Sequence, residues 1–149
     1  MKKYMLLICF YSILYSDSDN IFYVSPGIQL GINTAGDFFV SGQVTAGVGN
    51  MSDDGFPFIG VTLGKRFYYN GESRKFDSYN YMDGQLSLLF FGIGFGRIGN
   101  GYERYNKFKL FAGSFGLLSY DYITSPRSRH HFGVFGVLPI HSEFIQLGH

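Results

Sequence analysis

The sequence has no tryptophan, a single cysteine and only four prolines among its 149 residues. Charge is the next shortage. Asp, Glu, Lys and Arg make up 15% of the chain, against roughly 25% in an ordinary soluble domain. Twelve basic and eleven acidic residues nearly cancel to a formal +1. That balance gives no electrostatic reason to expect a nucleic acid as partner. An apolar pattern at helical spacing over about ten residues or more is also missing. What is abundant instead is glycine, with 21 residues, and aromatics, with 17 Phe and 12 Tyr. Few charges beside many aromatics and glycines argue against intrinsic disorder and coiled coil. The length fits one domain. An all-β chain remains, one whose outer surface need not face water.

The first twenty residues have the layout of a targeting segment. Lys2 and Lys3 form a basic start, and Tyr4 to Tyr15 is a mostly apolar run of twelve residues. Ser16-Asp17-Ser18 then supplies a small-x-small pattern that predicts cleavage before Asp19. Twelve residues are too few to cross a bilayer core as a helix, which takes about 20. The reading is an export signal over residues 1–18 and a single β-barrel domain over residues 19–149. Cys9 lies in the signal, and Ile8 before it is too large for a lipid-attachment motif. The mature chain would then have no disulfide, no thiolate metal site and no cysteine nucleophile. Lys2, Lys3 and Asp17 leave with the signal, so the formal +1 falls to zero.

Beyond residue 20 the chain reads in period two. From Ile21 to Asn33 one face carries Phe22, Val24, Pro26, Ile28, Leu30 and Ile32, and the other is mainly small or polar. The stretch Phe38 to Gly49 repeats the pattern, with Val40, Val44 and Val48 against Ser41, Gln43 and Thr45. Thr34-Ala35-Gly36-Asp37 between them is a hairpin connection. A third run sets Ile59, Val61 and Leu63 against Gly60, Thr62 and Gly64, and Asn70-Gly71-Glu72-Ser73 follows as a turn. The register is ambiguous from residue 76. Asp83-Gly84 is a strong hairpin dipeptide, so it either splits Phe76–Met82 from Gln85–Ile98 or sits inside one long strand. A bulge in Leu88-Leu89-Phe90-Phe91 would account for the apolar set changing from Leu86 and Leu88 to Ile93 and Phe95. Asn100-Gly101 marks another turn. Phe108 to Tyr122 alternates at its start, with Phe108, Leu110 and Ala112 opposite Lys107 and Lys109. Ser125 to Arg129 is a polar loop, Phe132 to Leu138 a strand, and Ser142–Leu147 a last short one. The count is six to eight.

In a water-soluble sheet the outward face is polar and commonly charged. Here the second face carries Gly, Ser, Gln, Thr and Asn. Charges gather in pairs such as Asp53-Asp54, Lys65-Arg66, Arg74-Lys75 and Glu103-Arg104, read as strand ends and loops. A membrane barrel reverses the arrangement, with apolar residues toward lipid and small or polar ones toward a narrow lumen. Runs of about 10 to 14 residues match the roughly 9–11 that cross a bilayer at a tilt. Aromatics at Phe22-Tyr23, Phe38-Phe39, Phe67-Tyr68-Tyr69, Tyr79, Tyr81, Tyr120 and Tyr122 read as interfacial girdles. In pattern and length, over roughly residues 20–147, the chain resembles the small outer-membrane β-barrel proteins of Gram-negative bacteria. The resemblance implies an antiparallel up-and-down β-barrel of about eight strands, with the lipid bilayer as partner. A count of six would instead require assembly with copies of itself, as a homo-oligomer. Gln29, Gln43, Thr45 and Thr62 would line the lumen as a hydrogen-bonded plug, because an eight-stranded interior is filled by side chains.

Motifs for chemistry are weak. Gly94-Phe95-Gly96-Arg97-Ile98-Gly99 matches the G-x-G-x-x-G form, but a dinucleotide turn needs a helix after it, and a turn and more strand follow. Ser114 in Ala112-Gly113-Ser114-Phe115-Gly116 looks like a relaxed nucleophile elbow placed in mid-strand. His130 and His131 are adjacent, so in a strand they point to opposite faces, away from a shared metal with His141. The expectation is an exported outer-membrane barrel with a structural, adhesion or small-pore role, no catalytic residue, no metal and no cofactor. The alternative is a secreted soluble barrel or sandwich, periplasmic or extracellular, that binds an apolar ligand or self-assembles. The mean hydropathy of +0.05 suits it. The scarcity of charge on the second face opposes it.

Overall fold

A computed structural model describes residues 20–50, 57–70, 75–88, 91–113, 116–137 and 140–141. The segment read as an export signal, Ser114 and the tail strand at 142–147 lie outside these residues. The described residues form strands β1 (Asn20–Asn33), β2 (Phe38–Asn50), β3 (Pro57–Asn70), β4 (Lys75–Leu88), β5 (Phe91–Gly99), β6 (Arg104–Ala112), β7 (Gly116–Ile123), β8 (His130–Val137) and β9 (Ile140–His141). From β1 to β8 each strand pairs antiparallel with the next, and β1 closes onto both β2 and β8. The short β9 continues the wall of β8: it pairs with Tyr23 and Val24 of β1, while β8 holds Gly27 to Asn33. The fold is a closed, eight-stranded, up-and-down antiparallel barrel, with no helix among the described residues.

The ladder registers fix its shape. A path from Phe22 runs through Val48, Ile59, Leu86, Ile93, Leu110, Tyr120 and Phe132 and returns to β1 at Ile32. The offset from Phe22 to Ile32 is a stagger of 10 residues over eight strands, which tilts the strands by roughly 35–45°. Every residue on that path is apolar or Tyr. The path one residue on, from Tyr23 to Asn33, passes through Gly47, Gly60, Gln85, Gly94, Lys109, Asp121 and His131. Strict alternation therefore separates an apolar outside from a polar, glycine-rich inside.

Residues 76–98 resolve the ambiguity in the sequence. Asp83 and Gly84 lie inside β4, paired with Thr62 and Val61 on one side and Gly96 and Phe95 on the other. The reversal comes between β4 and β5, which meet at Leu88 and Phe91. The change of apolar phase from Leu88 to Phe91 thus marks the passage from one antiparallel strand to the next, not a bulge, and odd residues face outward in β5. The run from Phe108 to Tyr122 divides into β6 and β7. Gly36 and Gly101 take positive φ of 86° and 95° in their turns, a region that glycine enters without steric cost.

The girdle reading of the aromatics needs correction. Adjacent strand residues face opposite ways, so the doublets split: Phe22 and Phe38 are exposed, whereas Phe39 is buried inside, and Tyr79 and Tyr81, two residues apart, share the inward phase of β4. Five interior rings stand directly across the ladder from a glycine: Tyr23 from Gly47, Phe39 from Gly31, Phe58 from Gly49, Tyr81 from Gly64 and Phe111 from Gly92. A side chain added at Gly31, Gly49, Gly64 or Gly92 would run into the facing ring. These glycines are the space in which the rings lie.

Candidate functional site

Alternation sends one residue in two from each strand into the lumen, and eight strands leave room for little besides those side chains. Gln29, Gln43, Thr45 and Thr62 are all buried there. The Thr45 and Thr62 hydroxyls face each other across β2 and β3 at 2.7 Å, and the Tyr81 hydroxyl donates to Gln43 Oε1 at 3.0 Å. Gln29 lies elsewhere in the lumen, in a larger network that the sequence did not reveal.

That network is ionic. Arg66, Asp83, Lys107, Lys109 and Asp121 each project inward from β3, β4, β6 or β7, and each is at most 1% exposed. Arg66 was read as one of a pair of charges at a strand end. It is instead fully enclosed, because its even position in β3 is the inward phase. Arg66 Nη2 contacts Asp121 Oδ2 at 2.5 Å and donates to Gln29 Oε1 at 2.9 Å, while Nε donates to Ser41 Oγ at 2.9 Å. Gln29 Nε2 donates in turn to Ser119 Oγ at 2.7 Å. Lys107 Nζ contacts Asp83 Oδ2 at 2.5 Å, and Asp121 Oδ1 lies 3.9 Å away. Asp121 thus stands between two cations. The Arg66 guanidinium also lies 4.2 Å from the Phe39 ring centre, and Lys107 Nζ 4.2 Å from that of Tyr81. A cation over a ring gains more where water is excluded.

Lys109 differs. Its Nζ has no hydrogen-bond partner among the described residues and sits over the Phe135 ring at 4.3 Å. Among the described residues three cations therefore face two carboxylates inside the barrel, and Lys109 is the one without a carboxylate in contact. The signal for this set was in the sequence: Lys107 and Lys109 occupy one phase of an otherwise apolar strand, and Asp83 and Asp121 supply opposite charge in the inward phase of others.

A second region caps the lumen at the end carrying turns 34–37 and 100–103. Tyr81, Ile98 and Ile123 pack there with Tyr79 and Tyr105. Above them is a pocket of about 50 Å³, with Asp37, Asp77, Tyr79, Tyr105, Arg127 and His131 in its wall. Arg127 reaches Asp37 at 3.2 Å, and the Thr34 amide donates to the His130 carbonyl at 3.0 Å, which ties the loop after β7 to the first turn. The Tyr68 hydroxyl and His131 Nε2 share a hydrogen bond of 3.2 Å. His130 points outward beside Tyr120, so the two histidines do not converge. No cluster of three metal-ligating residues forms among the described residues. The Gly94–Gly99 segment is strand β5 and leads through a turn into β6, without the helix that would hold a pyrophosphate.

Chemically the lumen is a closed ionic plug between aromatic layers, and the wall around it is apolar. No family model, curated protein or solved structure matches the chain.

Proposed function

We propose that this chain is an exported outer-membrane β-barrel with a structural or adhesive role, a lumen closed by its own side chains, and no catalysis. The observation that carries the reading is the inverted polarity of the wall. Ions and amides are enclosed, while Ile28, Val44, Leu63, Phe95, Leu118 and Val134 are 47% or more exposed. A water-soluble barrel of this size would gain by burying those side chains, and here lipid would cover them. Strand lengths agree. At about 3.3 Å per residue and a tilt of about 40°, the 9 residues of β5 span roughly 20–25 Å, close to the apolar band of about 25 Å in such barrels. A closed barrel also leaves no edge unpaired in hydrocarbon. The ionic plug favours a structural or adhesive role over a small pore, because ion passage would first have to separate Arg66 from Asp121 and Lys107 from Asp83.

The test is fractionation of the protein expressed with its own leader, followed by gels of boiled and unboiled samples. Recovery in outer membranes with a heat-dependent mobility shift is expected. Recovery as soluble periplasmic or secreted material would overturn the reading and return the outer face to a ligand-binding or self-assembly surface.

A further inference from the structure

We infer that the outer wall of β3, β4 and β5 is a seat for one anionic phospholipid, its phosphate held between Lys65 and Arg97 and one acyl chain lying over Gly84. The inference rests on the membrane reading above and names a ligand for one part of that wall.

Gly84 is a low point of this wall. It faces outward between Val61 on β3 and Phe95 on β5, its direct partners in the ladder. A Cβ at Gly84 would meet only the Phe95 carbonyl oxygen, at 3.8 Å. Both flanking side chains stand well clear of the sheet, Val61 at 50% and Phe95 at 67% exposure. With strands about 4.8 Å apart, the two ridges enclose a channel about two strand spacings wide. Ala46, Leu86 and Ile93 extend it into an open apolar groove of about 510 Å³.

Toward the end carrying turns 34–37 and 100–103 the groove meets charge of one sign. The next rows of the ladder are Leu63–Met82–Arg97 and Lys65–Asn80–Gly99. Lys65, Asn80 and Arg97 are all exposed. The outward phase of β3 to β6 contains Lys65, Arg97 and Arg104 and not one acidic residue. Neither Lys65 nor Arg97 has a carboxylate partner among the described residues. The strand tilt brings Lys65 and Arg97 to similar height on either side of β4, with the Asn80 amide between them. Two cations and an amide donor suit a phosphate diester. The apolar channel directly below suits the chain attached to it, with Met82 as a flexible wall where head and tail join. A purely acidic peptide would leave the groove unfilled, and a neutral lipid would leave the cations unpaired.

The experiment is native mass spectrometry of the detergent-purified full-length barrel titrated with phosphatidylglycerol and, separately, phosphatidylcholine. The wild type is expected to retain phosphatidylglycerol preferentially. Lys65→Gln and Arg97→Gln should each weaken that preference by roughly fivefold, the worth of one basic residue near a membrane surface, and together bring it to the phosphatidylcholine level. Gly84→Leu, which fills the groove, should lower adducts of both lipids. Unchanged heat-dependent gel mobility of each variant confirms that the barrel has formed. Equal retention of the two lipids by the wild type, or a preference that survives in the double variant, would overturn the lipid seat while leaving the membrane barrel standing. Recovery of the wild type as a soluble protein would overturn both.

Discussion

Near the end carrying turns 34–37 and 100–103, Arg66, Asp121, Lys107 and Asp83 fill the lumen with charge. Near the opposite end, where β1 begins, Tyr23, Phe58 and Phe111 fill it with rings opposite glycines. Both halves close the same eight-stranded bore, and they do so by different physics. In the charged half each ion is desolvated, so stability depends on every partner being present at once. In the aromatic half nothing need be paired. Stability there depends on shape, because each ring occupies the volume that a glycine leaves. The first half should therefore respond to loss of a group and the second to addition of one.

Asp121→Ala is the strongest way to break the charged half. It strands Arg66 and leaves Lys107 with Asp83 alone, and removal of one partner from a buried pair costs about 3–5 kcal/mol. Urea unfolding of the reconstituted barrel, followed by the fraction that runs as the compact form on unboiled gels, should show a midpoint shift of that size. Asp121→Asn, which keeps the acceptor oxygen, should recover only part of it. A null result for Asp121→Ala would mean that the plug contributes no stability.

On the outer wall the comparison is with lipid. Val44 is 48% exposed at mid-strand, and its neighbour Thr45 is 5% exposed in the lumen. Val44→Arg should cost roughly 2–4 kcal/mol at the bilayer midplane. Thr45→Arg adds a further cation to a crowded interior that already holds three, and should impair assembly instead. Membrane-integrated yield of the two variants checks this. Normal assembly and stability of Val44→Arg would contradict lipid contact at that face.

The aromatic half is probed by adding volume. Gly92→Ala pushes against Phe111 and should cost about 1–3 kcal/mol, as overpacking does. In the double variant Gly92→Ala/Phe111→Leu the two changes should not add, because removing the ring reopens the space. Additive losses in the unfolding midpoints would show that the glycine serves the backbone and not the ring.

How much of this was legible depended on whether local pattern or distant partners decided it. The β1–β2 hairpin was readable to within a residue, since strict period two and a four-residue turn at Thr34–Asp37 specify it locally. Asp83-Gly84 left a hairpin and the interior of one long strand both open, because its role is set by groups far along the chain. Asp83 faces Lys107 inside and Gly84 forms the floor of a groove outside. The reversal that does occur, between β4 and β5, showed in the sequence only as a change of apolar phase. The lumen residues Gln29, Gln43, Thr45 and Thr62 followed from alternation alone. The ionic core did not, because Arg66, Asp83, Lys107 and Asp121 come from four strands and meet only when the barrel closes. Tyr23 and Phe39 face the lumen for a simpler reason. In a strand, the second member of an aromatic pair must face the other way.

The smallest expected effect concerns Lys109, the one interior cation among the described residues with no carboxylate in contact. Its ammonium sits over Phe135 and near Phe111, where the charged half gives way to the aromatic one. If pairing is what makes charge tolerable in this lumen, Lys109 costs stability at present, and an apolar side chain of similar length should be at least neutral. Lys109→Met is expected to raise the unfolding midpoint by the equivalent of about 1 kcal/mol, the low end of the gain seen when buried ions give way to apolar residues. The same substitution at Lys107 should lower it, since Asp83 would then be left alone. Opposite signs at two lysines two residues apart, on one face of one strand, would separate paired from unpaired charge. A loss at both positions would mean that Lys109 does find a partner in the folded barrel, and that the charged half takes in the whole ladder row of Lys109 and Asp121.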